Sequence, residues 1–446
     1  MGKNKDNRAK YLIIGNSAGG IGAAEAIREV DKAGSITIVS DEPYPSYSRP
    51  LISKYITRER SLEGMLFRPT DFYEQNNINL LLGRRVNSLA PGEHTAELDT
   101  SEHITWDKLL IASGGVPIVS RIGGLGKKGV FNFITLDDAK AIDEFLDRAT
   151  TAVVIGGGLI GTAVTEALTQ RGVEVTVVEM KERILNTILD EQASLMAEEA
   201  LEKAGVRVIT GCTVAEIIGE ESVTAVILSN GVEIPCSLVV VAIGVLPRTE
   251  LLKGTDIKVN RGIAVNRNMG TNHPDIYACG DAAEAYDFVY GENRLTPIWP
   301  IAYLGGRIAG YNMAGTNAEY PGGTAMNALN YFGLDIAAAG ITIPPDEYGY
   351  EVLSKQNDGV YQKLVLKDDL LVGMVFVKDI EKSGIVFSLM RDGVNVHDFK
   401  QALLTDDFGL VSLPRELWHE RLETPPLGLV LQPALPEERV EDFAGE

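Results

Sequence analysis

The sequence predicts an α/β protein in which two Rossmann-like βαβ units are joined to a smaller α+β domain. Three observations carry this expectation. A unit of apolar strand, glycine turn, alanine-rich helix and second strand ending on an acid occurs twice, over residues 11–42 and 152–179. Residues 237–244, SLVVVAIG, form an apolar run without alternation, as a strand buried on both faces requires. From about Thr324 glycine turns separate short alternating segments, among them residues 361–366 and 371–377, which predicts antiparallel sheet. A length of 446 residues suits about three domains.

Composition narrows the function classes. The 62 acidic side chains outnumber the 41 basic ones, and a net charge of −21 opposes binding to nucleic acid or anionic membrane surfaces. No apolar run approaches the ~18 residues of a membrane span. The lysine-rich start has too few apolar residues for a signal peptide, so a cytoplasmic location is expected. Cys212, Cys236 and Cys279 are far apart and form no CxxC pair, and the five histidines show no ligand spacing; neither a redox disulfide nor a metal site is expected. Residues 423–446, rich in proline and acids, are expected to be extended or loosely packed.

In the first unit Gly15, Ser17 and Gly20 occupy the three positions of a G-x-G-x-x-G turn, with Ala18 and Gly19 between them. The outer glycines allow the tight turn and the close helix-to-strand contact. Ser17 is the departure, and its hydroxyl can donate to a pyrophosphate at the start of a helix expected from Gly19. Asp41 or Glu42 then lies where an acid can accept ribose hydroxyls.

The second unit is complete. Gly156, Gly158 and Gly161 stand at the full spacing, with Leu159 and Ile160 inside it, after a strand at 152–155 and before a helix at 162–170. Glu179 ends the next strand. A carboxylate there gains roughly 1.5–3 kcal/mol from charge-assisted bonds to a ribose diol. Against a 2′-phosphate it would be repelled by about 4 kcal/mol at ~4 Å with an effective dielectric near 20. NADH is therefore expected over NADPH, although Lys181 and Arg183 follow closely and offer charge to a phosphate or simply face water.

Five motifs in order, GNSAGG at 15–20, IASG at 111–114, GGGLIG at 156–161, AIGVLP at 242–247 and YACGD at 277–281, give the whole chain its resemblance to the pyridine nucleotide-disulfide oxidoreductase superfamily. The resemblance implies an FAD domain (1–119 and 250–323) with an NAD domain (120–249) inserted, and a C-terminal interface domain (324–446) that makes a homodimer. It implies that Asp281, with Gly280, holds the flavin ribityl chain, and that Val86, Ser113, Gly114 and Gly244 join the cofactor-binding set.

Residues 41–54, DEPYPSYSRPLISK, resemble the rubredoxin-, ferredoxin- and nitrite-reductase branch. That implies Arg49 and Pro50 facing FAD. Related peroxidases, oxidases and coenzyme A disulfide reductases carry a redox cysteine at about the place of Arg49, so thiolate chemistry is disfavoured here. Lys54 is the catalytic candidate: beside the isoalloxazine its ammonium would stabilise a reduced ring, the alternative being neutralisation of the pyrophosphate. The branch often pairs this lysine with a glutamate; that position is Ala163 here, and Glu166 lies one turn further along. Trp299 and Pro300 precede a helix expected at 301–313, whose N-terminus the resemblance aims at the flavin pyrimidine edge. Trp299 as a core aromatic is the plainer alternative.

The functional expectation is an FAD flavoprotein that takes hydride from NADH and passes electrons to a ferredoxin- or rubredoxin-like partner. A direct oxidase or diaphorase using oxygen or quinones is one alternative, and an NADH-responsive sensor or scaffold is another. Arg49, Lys54, Arg58, Arg60 and Arg68 are the candidate docking patch, against an ordinary solvated face. Residues 324–422 are expected to add no chemistry.

Overall fold

The first fingerprint folds as strand Arg8–Ile14, helix Ala18–Val30 and strand Ile36–Ser40. Its central strand is flanked in parallel by Ile36–Ser40 and His103–Ile111, and Ile78–Leu82 and Ile276–Ala278 extend the sheet. Val86–Ala90 and Thr95–Leu98 add an antiparallel meander beyond His103–Ile111. The computed structural model describes residues 8–118, 122–345, 349–414 and Leu417; the expectations for the lysine-rich start and for 423–446 lie outside the described residues. Among those described, no helix is long and apolar enough to cross a membrane.

The second fingerprint folds as Thr151–Ile155, Leu159–Gln170 and Glu174–Val178, at the heart of a five-stranded parallel sheet. Leu238–Val241 and Val130–Asn132 lie on one side of Thr151–Ile155, and Glu174–Val178 and Arg207–Ile209 on the other. The uninterrupted apolar run at Leu238–Val241 is buried at every position, as its missing alternation requires. The helix starts at Leu159, three residues ahead of expectation, because Gly158 already serves as its N-cap. Likewise the helix expected from 301 spans Trp299–Met313. Proline is tolerated in that first turn, where its missing N–H would have had no partner.

Helices Ala18–Val30 and Trp299–Met313 run side by side in the same direction at backbone contact. A Cβ on Gly306 would lie 2.0 Å from the Gly19 carbonyl oxygen, and one on Gly310 would lie 2.4 Å from that of Ala23. Only glycine permits this approach, and both helices begin at the same cavity, which Ala18 and Trp299 line.

The third region is an antiparallel sheet in the order Met326–Tyr331, Leu334–Gly340, Leu370–Val377, Val360–Lys367, Glu351–Asn357. Helix Ser383–Arg391 covers one face, where Val386 and Leu389 pack on Leu364, Met374 and Phe376. On the other face Ile336, Tyr361, Val375 and Val377 share a core with Val154, Leu168, Leu185 and Leu189 of the second Rossmann unit. Third region and second unit are thus held together by common apolar burial.

Candidate functional site

A cavity of about 1660 Å³ opens between the two fingerprints. Gly15, Ser17, Ala18 and Gly19 line one arm, and Gly156, Gly158, Leu159 and Ile160 the other. Gly15 (φ 115°) and Gly156 (φ 107°) take backbone angles that other residues rarely reach, and a side chain on either would strike a carbonyl. Ser17 is an N-cap whose side chain makes no capping hydrogen bond, so the hydroxyl and the unpaired N–H groups of the first turn are available to an anion. Gly20 and Gly161 do not line the cavity. Cβ atoms there would lie 2.0 Å from the Gly15 oxygen and 1.8 Å from the Gly156 oxygen, so these glycines seat each helix on its own turn.

Asp41, Glu42, Arg49, Pro50, Lys54, Ser113, Gly114, Gly280, Asp281, Trp299 and Pro300 also line the cavity, as do Glu179 and Gly244. Val86, also assigned to the cofactor-binding set, does not; its side chain is buried in the core of the first sheet.

Both acids offered for the first ribose are already engaged. Glu42 accepts from the Tyr47 hydroxyl at 2.6 Å and forms an ion pair with Arg49, which also donates to the Ile134 carbonyl at 2.9 Å. Burial alone would lower the Arg49 pKa, but Glu42, Tyr47 and Asp281 outweigh it and raise it above the ordinary value. Burial lifts the Asp281 carboxyl above its usual range, with Arg49 opposing. Asp41 pairs with Arg248, a cavity-lining residue that the sequence reading missed although it directly follows AIGVLP. The Arg248 backbone N–H donates to the Gly114 carbonyl at 2.9 Å, and its carbonyl accepts from the Ser113 hydroxyl at 2.7 Å, so two motifs far apart in sequence are tied at one edge.

In the other arm the buried Glu179 carboxylate accepts from the Gly157 N–H at 2.7 Å and the Lys181 N–H at 2.8 Å. These bonds fix its orientation and leave each oxygen a lone pair for a ribose hydroxyl. Met180, 61% exposed, lines the arm beside it together with Lys181 and Asn186.

Lys54 pairs with Glu59 at 3.2 Å, and Glu166 instead accepts the Phe332 N–H at 2.8 Å, so Glu166 does not take over as its partner. Trp299 meets Phe67 edge-on, with ring centroids 5.1 Å apart, so it packs against a neighbour as well as lining the cavity. The expected basic patch is partly neutralised: Arg49 pairs with Glu42, Lys54 with Glu59 and Arg68 with Glu25, while Arg58, 67% exposed, reaches Asp143 only at 3.6 Å and shares it with Arg171. Among the described residues only Arg60 of the five has no carboxylate partner. Cys279 also borders the cavity, but burial pushes its thiol up to about 12, which keeps it protonated. The third region also reaches the site: the whole strand Met326–Tyr331 lines the cavity wall.

Residues 9–323 match the pyridine nucleotide-disulphide oxidoreductase family model. The chain belongs to that family. Residues 326–394 match the rubredoxin NAD+ reductase C-terminal domain. Among curated relatives, the nitrite reductase [NAD(P)H] of Bacillus subtilis is 30% identical over 393 residues, covering 88% of this chain and 48% of its own length. The chain thus spans about half of that relative. The NADH-rubredoxin oxidoreductase of Clostridium acetobutylicum is 31% identical over 331 residues, covering 74% of this chain and 81% of its own. Among solved structures, an NAD-dependent persulfide reductase from A. fulgidus superposes with a TM-score of 0.81 at 27% identity, over 87% of this chain and 77% of that one.

FAD and NAD(H) are the cofactors of this family. The residues present fit both. At Gly158 the space that a Cβ would fill is open, each fingerprint turn leads into the N-terminus of a helix at the cavity, and the half-buried Asp281 and buried Glu179 carboxylates line it.

Proposed function

We propose that this chain is an FAD-dependent oxidoreductase that takes electrons from NADH and passes them to a small rubredoxin- or ferredoxin-type partner. The observation that carries the reading is the opening of two dinucleotide cradles into one cavity, with a protonated thiol at Cys279 and an arginine, Arg49, at about the place where the resemblance puts the redox cysteine of related peroxidases and oxidases. Bound flavin supplies a two-electron acceptor for hydride and can release electrons singly.

The chain supplies position and charge. The turn Gly156–Gly158 and the first N–H groups of helix Leu159–Gln170 receive the nicotinamide dinucleotide's pyrophosphate, and Glu179 takes its ribose hydroxyls. The corresponding groups at Gly15–Gly19 and Asp281 hold FAD, with Asp41 and Glu42 kept in place by Arg248 and Arg49. Lys54 adds positive charge along the cavity, and the N-terminus of helix Trp299–Met313 adds a partial positive charge that favours a reduced, negative ring. In this reading residues 1–119 and 250–323 form the FAD domain, 120–249 the NAD domain and 324–446 the interface of a cytoplasmic homodimer.

Anaerobic mixing with NADH or NADPH tests the first half. NADH is expected to bleach the flavin's visible absorbance faster than NADPH, and oxidised flavin persisting with both would overturn the proposal. Reoxidation by rubredoxin, ferredoxin or oxygen then ranks the acceptors. Fastest return with oxygen would make the chain an oxidase.

A further inference from the structure

We propose that the third region positions the nicotinamide nucleotide through a buried contact of Tyr361 and Lys363 with Asp190. The inference rests on the proposed use of NADH.

Lysine is almost never buried without a partner. Lys363, on strand Val360–Lys367, is only 8% exposed, and its Nζ donates to Asp190 Oδ2 at 2.8 Å. The Tyr361 hydroxyl donates to the same oxygen at 2.6 Å. The other carboxylate oxygen, Oδ1, accepts the Ala193 N–H at 3.1 Å and caps helix Glu191–Lys203. One carboxylate therefore joins the sheet of the third region to a helix start in the NAD half. Removing either donor leaves an underpartnered charge away from water, which is the costly way to break such a pair.

Asp190 ends the segment that borders the nucleotide arm, to which Met180, Lys181, Asn186 and Thr187 contribute lining. That segment passes through Leu185, which is held at φ 50° in the left-handed region that leucine disfavours. Such a conformation persists where its surroundings over-determine it. Here the Leu185 N–H donates to the Gly157 carbonyl at 2.8 Å. The Ile184 N–H donates to Glu198 at 3.0 Å, and the Ile184 carbonyl accepts from the Ser194 hydroxyl at 2.9 Å. Glu198 and Ser194 lie on the helix that Asp190 caps. Hydrogen bonds thus run from Lys363 and Tyr361, through that helix start and the strained leucine, to the fingerprint turn. Tyr361 and Lys363 are positioning residues for the NADH arm, although neither lines it.

The test compares FAD-loaded wild type with Tyr361→Phe, Lys363→Met and Lys363→Arg, reading KM for NADH and kcat with ferricyanide, and the equilibrium Kd for NAD+. Tyr361→Phe and Lys363→Met are expected to raise KM and Kd about tenfold with kcat within about twofold, the pattern of lost ground-state binding. FAD content stays unchanged, and Lys363→Arg, which keeps the charge, brings both constants back toward wild type. Unmoved KM and Kd in the folded variants would overturn the inference, and so would a fall in kcat at constant KM. Should Lys363→Met fail to fold, Tyr361→Phe, lacking a single hydroxyl, decides alone. A wild type that NADH does not reduce refutes the proposed function; an NADH-reduced wild type with unmoved variants refutes only the anchor.

Discussion

Gly161→Ala is expected to separate the two nucleotide arms. Helix propensity alone argues for a gain, since alanine is favoured over glycine by about 1 kcal/mol inside a helix. The local geometry argues the reverse. The new Cβ would lie 1.8 Å from the Gly156 carbonyl oxygen, whereas real Cβ contacts stay above 3.0 Å, so helix and turn must part by about 1.2 Å. The obstructing atom is backbone at a residue with φ 107°, so no side chain can swing aside. Overpacking of this kind costs ~1–3 kcal/mol, which outweighs the propensity term over most of its range. Placed wholly on the nicotinamide arm, it converts to a rise in KM of roughly 5- to 150-fold. Gly20→Ala meets the equivalent obstruction at 2.0 Å from the Gly15 oxygen and falls on the other arm. The assay reads the flavin spectrum of each purified variant, then stopped-flow bleaching against NADH concentration. Gly161→Ala should stay yellow and bleach only at high NADH, whereas Gly20→Ala should lose flavin. A wild-type KM in Gly161→Ala, or loss of flavin from that variant, would show that Gly161 does not seat the nicotinamide arm.

Arg248→Met removes the partner of Asp41. Because Asp41 is 39% exposed, solvent screening limits the pair to ~1 kcal/mol, so FAD dissociation is expected to rise about fivefold, read by flavin fluorescence on dilution; unchanged retention would remove this pair from cofactor binding. Iodoacetamide at neutral pH is expected to leave flavin reduction by NADH intact, since burial holds the Cys279 thiol up at about 12. Loss of reduction in step with alkylation of Cys279 would contradict that. Asp31 is held below its ordinary value of 3.8, chiefly by the Lys10 hydrogen bond and then by the Gly34 and Ala33 N–H groups. A depressed carboxylate stabilises the fold above its unfolded pKa and loses that contribution as pH falls through its folded one. Asp31→Asn should therefore lower Tm at neutral pH, with the gap closing on acidification; a gap that widens in acid would reverse the assignment.

The fingerprints were legible because their causes are local. Glycine at 15 and 156, an apolar strand before and a helix after are all set within a few residues, and the burial of Leu238–Val241 follows from a run without alternation. The helix starts were misplaced for a related reason. Leu159 and Trp299 lie in first turns whose N–H groups have no intrahelical partner, so side-chain periodicity carries little information there. The burial of Val86 was not legible because a family position names a residue without saying which way its strand turns the side chain.

What stayed hidden depends on pairing over long separations. Nothing near Arg248 in sequence announces Asp41, 207 residues away, and nothing near Lys363 announces Asp190, 173 residues away. A composition-based reading assigns such charges to solvent, which is the correct default for lysine and arginine. The default fails where the fold supplies a carboxylate, and it fails twice over in the run from Arg49 to Arg68. There the sequence offers a concentration of positive charge, while the fold sets Arg49, Lys54 and Arg68 against Glu42, Glu59 and Glu25. Electrostatic steering responds to the net field and not to a count of basic residues. With those pairs formed, recognition of an acidic partner at this face rests on Arg58 and Arg60 and on shape and apolar contact. Reversing Arg58 or Arg60 should then change the salt dependence of electron transfer more than reversing Arg49, whose charge Glu42 offsets; an equal change from all three would contradict this.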